Sequence, residues 1–135
     1  MAYRILEHTA DVRLLVEART LEELFREALR GMMEVLKPER KPEGAETMRR
    51  IKVEAEGRTA LLVDFLNEAL WMAHTNREAY AAAEIAAMSE TRVEATLRGV
   101  PCDGFGEDIK AVTHHEAEIR ENAAGNLETV LVFDI

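Results

Sequence analysis

Val12, Leu14 and Val16 alternate with Arg13, Leu15 and Glu17, the period-2 pattern of a strand with one buried face. Residues 3–6 (Tyr-Arg-Ile-Leu) predict a second short strand, which makes His8 to Asp11 the turn between the two. The period then changes. Thr20-Leu21-Glu22-Glu23 is a capping box, with Thr20 as N-cap and Glu23 at N3. Leu21, Leu24, Phe25, Ala28, Leu29, Met32, Met33 and Leu36 follow at three- and four-residue steps, so one apolar stripe runs along a helix as far as Pro38. Residues 37–48 are polar, contain Pro38 and Pro42, and predict a connecting loop.

Alternation returns from Arg49 to Glu56, where Ile51, Val53 and Ala55 oppose Lys52, Glu54 and Glu56, and Gly57 ends the strand. A second helix is expected from about Thr59 to His74; its apolar surface (Leu62, Phe65, Leu66, Ala69, Leu70, Ala73) is wide enough to be covered on more than one side. Residues 79–88 are alanine-rich, which favours helix by propensity. Their place before an alternating strand (Arg92 to Arg98) favours a hairpin partner turned at Ser89-Glu90, and strand is the expectation. Gly99 to Asp108 predicts a loop by composition, and Glu116 to Arg120 alternates. Asn122 to Asn126 looks like a hairpin connection into a last strand, Leu127 to Phe133. That strand is apolar on both faces, as expected of a central, doubly covered position. The order β-β-α, β-α-β-β, β-β implies an α+β fold, antiparallel sheet packed with two main helices, in one domain spanning 1–135.

The formal charge of -9 argues against direct, strong binding of nucleic acid, which needs clustered Lys and Arg. It suits either a solvated surface or docking on a basic partner. One cysteine, Cys102, leaves no intramolecular disulfide and no cysteine zinc site. Polar residues interrupt the N-terminal stretch, so no signal peptide is expected, and no apolar run approaches the roughly 20 residues that span a bilayer. A cytoplasmic protein without membrane association is the expectation.

Two acidic fragments carry the candidate chemistry. Asp11 closes Glu7-His8-Thr9-Ala10-Asp11, either as a turn aspartate bonding its own backbone or as a metal or partner contact oriented by His8. Asp134 follows the last apolar strand, beside the carboxylate of Ile135. Anions that close are unfavourable unless a cation or donor lies between them, and three oxygen groups would suit a hard cation. Lys110 follows Glu107-Asp108-Ile109, where a surface ion pair is the plainer reading. His114 and His115 cannot both point one way along a strand, which leaves a single oriented His115. The two glycines of Gly104-Phe105-Gly106 match no phosphate-cradling motif.

Taken in order, these segments resemble the archease family. The matching stretches are Glu7-His8-Thr9-Ala10-Asp11, Thr20-Leu21-Glu22-Glu23-Leu24-Phe25, Leu61-Leu62-Val63-Asp64-Phe65-Leu66-Asn67-Glu68, Glu107-Asp108-Ile109-Lys110-Ala111-Val112-Thr113 with His115, and Val132-Phe133-Asp134-Ile135. The resemblance implies a strand-helix-strand-strand module with a similar module inserted, approximately at 49–100. It implies a non-catalytic accessory protein of the RtcB-type tRNA-splicing RNA ligase, which promotes guanylylation and multiple turnover of that ligase. It further implies a divalent cation on Asp11, Asp134 and Ile135 and a functional role for Lys110 beside Asp11 and Asp134 in ligase activation; His8 and His115 are expected, from the residues themselves, to support the site. His114 stands where the family more usually has tyrosine. Oxygen-only ligation favours Ca²⁺, with Mg²⁺ or Mn²⁺ as alternatives, over Zn²⁺. Two rival readings are a metal-dependent phosphoesterase using the same carboxylates and a chaperone-like or small-ligand module presenting the apolar face of the second helix.

Overall fold

The computed structural model describes residues 1–6, 11–40 (Arg40 by its backbone alone) and 44–135. In chain order the elements are β1 (Ala2–Leu6), β2 (Asp11–Ala18), α1 (Leu21–Leu36), β3 (Pro38–Arg40), β4 (Thr47–Glu54), α2 (Arg58–Asn76), β5 (Glu78–Met88), β6 (Arg92–Phe105), β7 (Ala111–Thr113), β8 (Arg120–Glu121) and β9 (Leu127–Asp134). The fold is α+β, as expected, but its strands divide into two antiparallel sheets. One runs β1-β2-β9-β7, with β8 also on β9; in the other, β3, β4 and β5 all pair with the long β6.

Both helices pack against both sheets: α1 against β1, β2, β9 and β5, and α2 against β7, β4, β5 and β6. Thr20 caps α1 as expected, its Oγ1 accepting from the Glu23 amide at 3.2 Å. At the other end Lys37 turns left-handed and its amide returns to Met33 O. A side chain at Gly31 would lie 2.6 Å from Leu14 Cδ2, so the glycine is what lets α1 seat closely on β2. The helices meet through Phe25 and Phe65, ring centroids 5.2 Å apart. Leu61, Leu62, Val63, Phe65, Leu66, Ala69, Leu70 and Ala73 of α2 are all buried. Its wide apolar surface is therefore core, and the chaperone-like reading loses the surface it needed.

β9 is central, with β2 on one edge and β7 and β8 on the other. Leu131, Val132 and Phe133 are buried. The alanine-rich segment is a strand, as expected, because pairing with β6 overrides helix propensity. Three readings need correction. Gly99 to Phe105 does not loop but extends β6, because Glu78–Tyr80 pair with Pro101–Gly99 and β3 pairs with Cys102 and Phe105. Gly99 serves there as the flat spot under Tyr80: a Cβ would lie 2.6 Å from the Tyr80 ring and 2.7 Å from the Ala79 carbonyl oxygen. The polar stretch 37–48 contains β3 and the start of β4. Residues 116–119 form no strand, and only Arg120–Glu121 pair with β9.

A polar network holds the start of β5. Glu78 is buried, and the Arg49 guanidinium donates to both its carboxylate oxygens at 2.9 Å. The Tyr80 hydroxyl donates to it at 2.8 Å. The Arg49 hydrogen bonds hold the Glu78 carboxyl below its ordinary value, and burial pushes the Tyr80 phenol up to about 12. A depressed carboxyl pKa adds stability that is fully present above the unfolded value, near 4.5, and is lost as pH falls through the folded value. Glu78→Gln should therefore lower the unfolding free energy by about 2 kcal/mol at neutral pH, with the gap to wild type closing below about pH 4. Denaturant titrations across that range measure it; a gap independent of pH would contradict the network. Gly99→Ala should cost about 1–3 kcal/mol by overpacking, whereas an unchanged denaturation midpoint would place residue 99 outside the strand pairing.

Candidate functional site

The expected acidic residues meet across one strand pair. In the β2–β9 ladder, Asp11 and Asp134 are direct Cα partners. Adjacent Val12 and Phe133, also partners, are buried in the core. Alternation therefore turns both aspartates to the opposite face of the sheet, where directly opposed Cβ atoms stand about 4.5–5.5 Å apart. Asp134 is exposed and Asp11 half-buried. Ile135 is partly buried against the core, which gives the main chain beyond Asp134 a defined place. His8, expected to orient Asp11, lies outside the described residues.

The same face of the same ladder carries a second pair of opposed acids, Glu17 and Glu128. Their repulsion is answered by amides: Asn122 Nδ2 donates to Glu17 at 2.6 Å and to Glu128 at 2.9 Å, and Asn126 Nδ2 donates to Glu17 at 3.0 Å. These donors, Asn126 first, hold the Glu17 carboxyl below its usual range. At the Asp11–Asp134 end no side chain among the described residues plays that part. Arg13, two residues along β2 on the same face, is engaged bidentately with Glu116 at 3.0 Å. Like charges directly opposed in a ladder are destabilising, so this end of the sheet favours a cation. Among the described residues, no three His, Cys, Asp or Glu side chains gather as a metal cluster. The oxygen set on offer is the two aspartate carboxylates and the main chain of Ile135.

Lys110 belongs to the same end of the sheet. Its amide donates to the Asp134 carbonyl at 2.7 Å, and the next residue, Ala111, is the Cα partner of Asp134 on the far side of β9. Lys110 is exposed and, among the described residues, forms no ion pair with Glu107 or Asp108. Asp11, Asp134 and Ala111 thus lie in one row across β2, β9 and β7. Histidine placement differs from expectation. β7 ends at Thr113, and both histidines sit in the bend that follows. The one with a polar contact among the described residues is His114, whose Nε2 lies 3.7 Å from Asp64 Oδ1; His115 is exposed.

Asn67 is the residue that sequence reading passed over. From α2 its Nδ2 donates to the Val112 carbonyl at 2.8 Å, and its Oδ1 accepts from the Val112 amide at 2.8 Å. The amide side chain imitates another strand and closes the free edge of β7. The signal was present: a polar residue set among buried Leu66, Ala69 and Leu70 has to find partners. What was missing was its partner, since Ala111-Val112-Thr113 is too short to show a period.

Comparison with known proteins gives one answer. A model of the Archease protein family (MTH1598/TM1083) matches residues 3–135. Protein archease of Methanosarcina mazei is 30% identical, with 98% of this chain and 95% of that one covered. That of Thermococcus gammatolerans is 28% identical, covering 96% and 95%. The solution structure of Methanobacterium thermoautotrophicum protein 1598 aligns with a TM-score of 0.68 at 25% identity over 98% of both chains. A crystal structure of an archease, possible chaperone, from Thermotoga maritima aligns at 0.64 over 96% and 94%; at 24% identity it speaks for the fold alone.

If Asn67 holds the edge of β7, Asn67→Ala should speed exchange of the Val112 amide hydrogen about tenfold or more while β4 and β6 amides keep their rates. Amide hydrogen exchange by NMR reads this directly. Equal acceleration everywhere would mean that the variant lowers global stability and that the edge clamp has no local role.

Proposed function

The chain belongs to the archease family, and from that premise we propose that it is a non-catalytic activator of an RtcB-type RNA ligase in tRNA splicing or RNA repair. Asp11, Asp134 and Ile135 hold a divalent cation, Ca²⁺ foremost, at the end of the β2–β9 ladder, and Lys110 engages an anionic group of the partner beside it. The observation that carries this reading is the direct opposition of Asp11 and Asp134, with Lys110 fastened to Asp134 through its backbone. The donor chemistry fits the cation: oxygen ligands from a fixed ladder, with an open side for water or a partner. A bound divalent cation would offset the repulsion between the opposed carboxylates. This chain's residues position it, present Lys110, and keep both on a rigid sheet.

Activation of this kind is a population shift. The activator binds the nucleotide-accepting state of the ligase more tightly than the others and raises its share. A hundredfold gain in rate needs only about 2.7 kcal/mol of differential stabilisation, within reach of one desolvated charged contact. The net charge of -9 suits approach to a cleft that must itself bind RNA, nucleotide and metal, and speeds encounter.

Under multiple turnover, Asp11→Ala, Asp134→Ala and Lys110→Ala should each cut stimulation of ligase guanylylation by about tenfold or more, a loss of roughly 1.4 kcal/mol. Wild-type stimulation by all of these variants would remove the site assignment. Hydrolysis of simple phosphoesters by the protein and divalent metal alone would favour the phosphoesterase instead.

A further inference from the structure

Trp71 is the only tryptophan in the chain, and it stands 60% exposed on α2. Two contacts fix the course of that helix against β7: Asp64 lies beside His114, and Asn67 bonds to Val112. Helix and strand therefore run in opposite directions. One further helical turn advances about 5.4 Å and matches about two strand residues, which brings Trp71 level with Lys110. One step beyond, the His74 ring meets Phe105 edge-on, centroids 5.1 Å apart. The indole thus stands exposed between two anchored contacts, alongside the strand end where Lys110 is tied to Asp134.

The two formally charged residues that share its face of the helix are acidic. Asp64, Glu68 and Trp71 follow at i, i+4 and i+7 and so share a face; Glu68 is exposed and the Asp64 side chain is 44% exposed. A large aromatic side chain with an acidic flank is the composition of an interface anchor, since tryptophan is among the residues that dominate protein–protein binding energy. Charge complementarity then requires basic groups around the receiving pocket. We propose that Trp71 anchors this protein on its partner by entering an apolar pocket rimmed by Lys or Arg on the ligase. This rests on the function proposed above and adds a second contact: the carboxylates and Lys110 act on the active centre, while the indole supplies residence.

Separation of affinity from efficacy is the test. With the cognate ligase, Trp71→Ala should raise the concentration giving half-maximal stimulation by about tenfold or more and leave the plateau unchanged. Met48→Ala, a 58% exposed apolar residue on the other sheet, should change neither. With 5-fluorotryptophan in place of Trp71, the single ¹⁹F resonance should lose its H₂O/D₂O solvent shift when the unlabelled ligase is added. Unchanged half-maximal concentration in Trp71→Ala, with the wild type active, would overturn the anchor and leave the proposed function standing. A wild type that neither binds nor stimulates the ligase would overturn both. Loss of the solvent shift on self-association, or on adding RNA alone, would assign the indole to a second copy or to RNA and overturn the proposal.

Discussion

The pairing of β2 with β9 is the constraint on which the rest depends. Eight residues of each strand lie opposite one another, from Asp11–Asp134 to Ala18–Leu127. Their inward side chains, Val12, Leu14, Val16, Leu131 and Phe133 among them, are buried in the shared core. Each such side chain contributes about 1.5–3 kcal/mol when fully removed from water. A slip of one residue would turn that set outward and the acids inward, so hydrophobic burial alone fixes the register. Core packing thereby forces Asp11 and Asp134 together against their own repulsion.

The outward face of the ladder contains its own control. Glu17–Glu128 and Asp11–Asp134 are equivalent acid pairs at opposite ends of one register. The first is satisfied by the amides of Asn122 and Asn126, which hang from the β8–β9 turn. The second has no such amide among the described residues and sits instead beside Lys110. One pair is satisfied by side-chain amides; the other carries the cation site proposed above. α2 completes the second end: Asn67 closes the edge of β7, and the same helix carries Trp71 outward.

The Thr20 cap, both helices and the principal strands were legible because their periods are long and their caps local. Burial across both faces of α2 was legible too, from a surface too wide for one stripe. Short or composition-masked elements were not. β3 and β7 have three residues each, fewer than a period needs. Gly99 to Phe105 carries loop residues although it is strand, because glycine there answers a tertiary demand: room for the Tyr80 ring. For the site, the acidic ends were visible as fragments, and the archease resemblance joined them. Their register, the unlike fate of the two acid pairs and the role of Asn67 needed three dimensions, since each depends on which strand lies beside which.

The claim that Asp11 and Asp134 are held together for a cation has a distinctive sign. Measured without divalent metal, Asp11→Asn should raise the unfolding free energy, by about 0.2–1 kcal/mol, because it relieves like charges directly opposed in a ladder. With Ca²⁺ titrated in, the wild type should gain stability as RT ln(1 + [Ca²⁺]/Kd), while the variant should gain little. Denaturation midpoints of the two proteins with and without Ca²⁺ therefore decide the matter. A wild type indifferent to the cation, or a variant that loses metal-free stability and keeps the full cation-dependent gain, would contradict it.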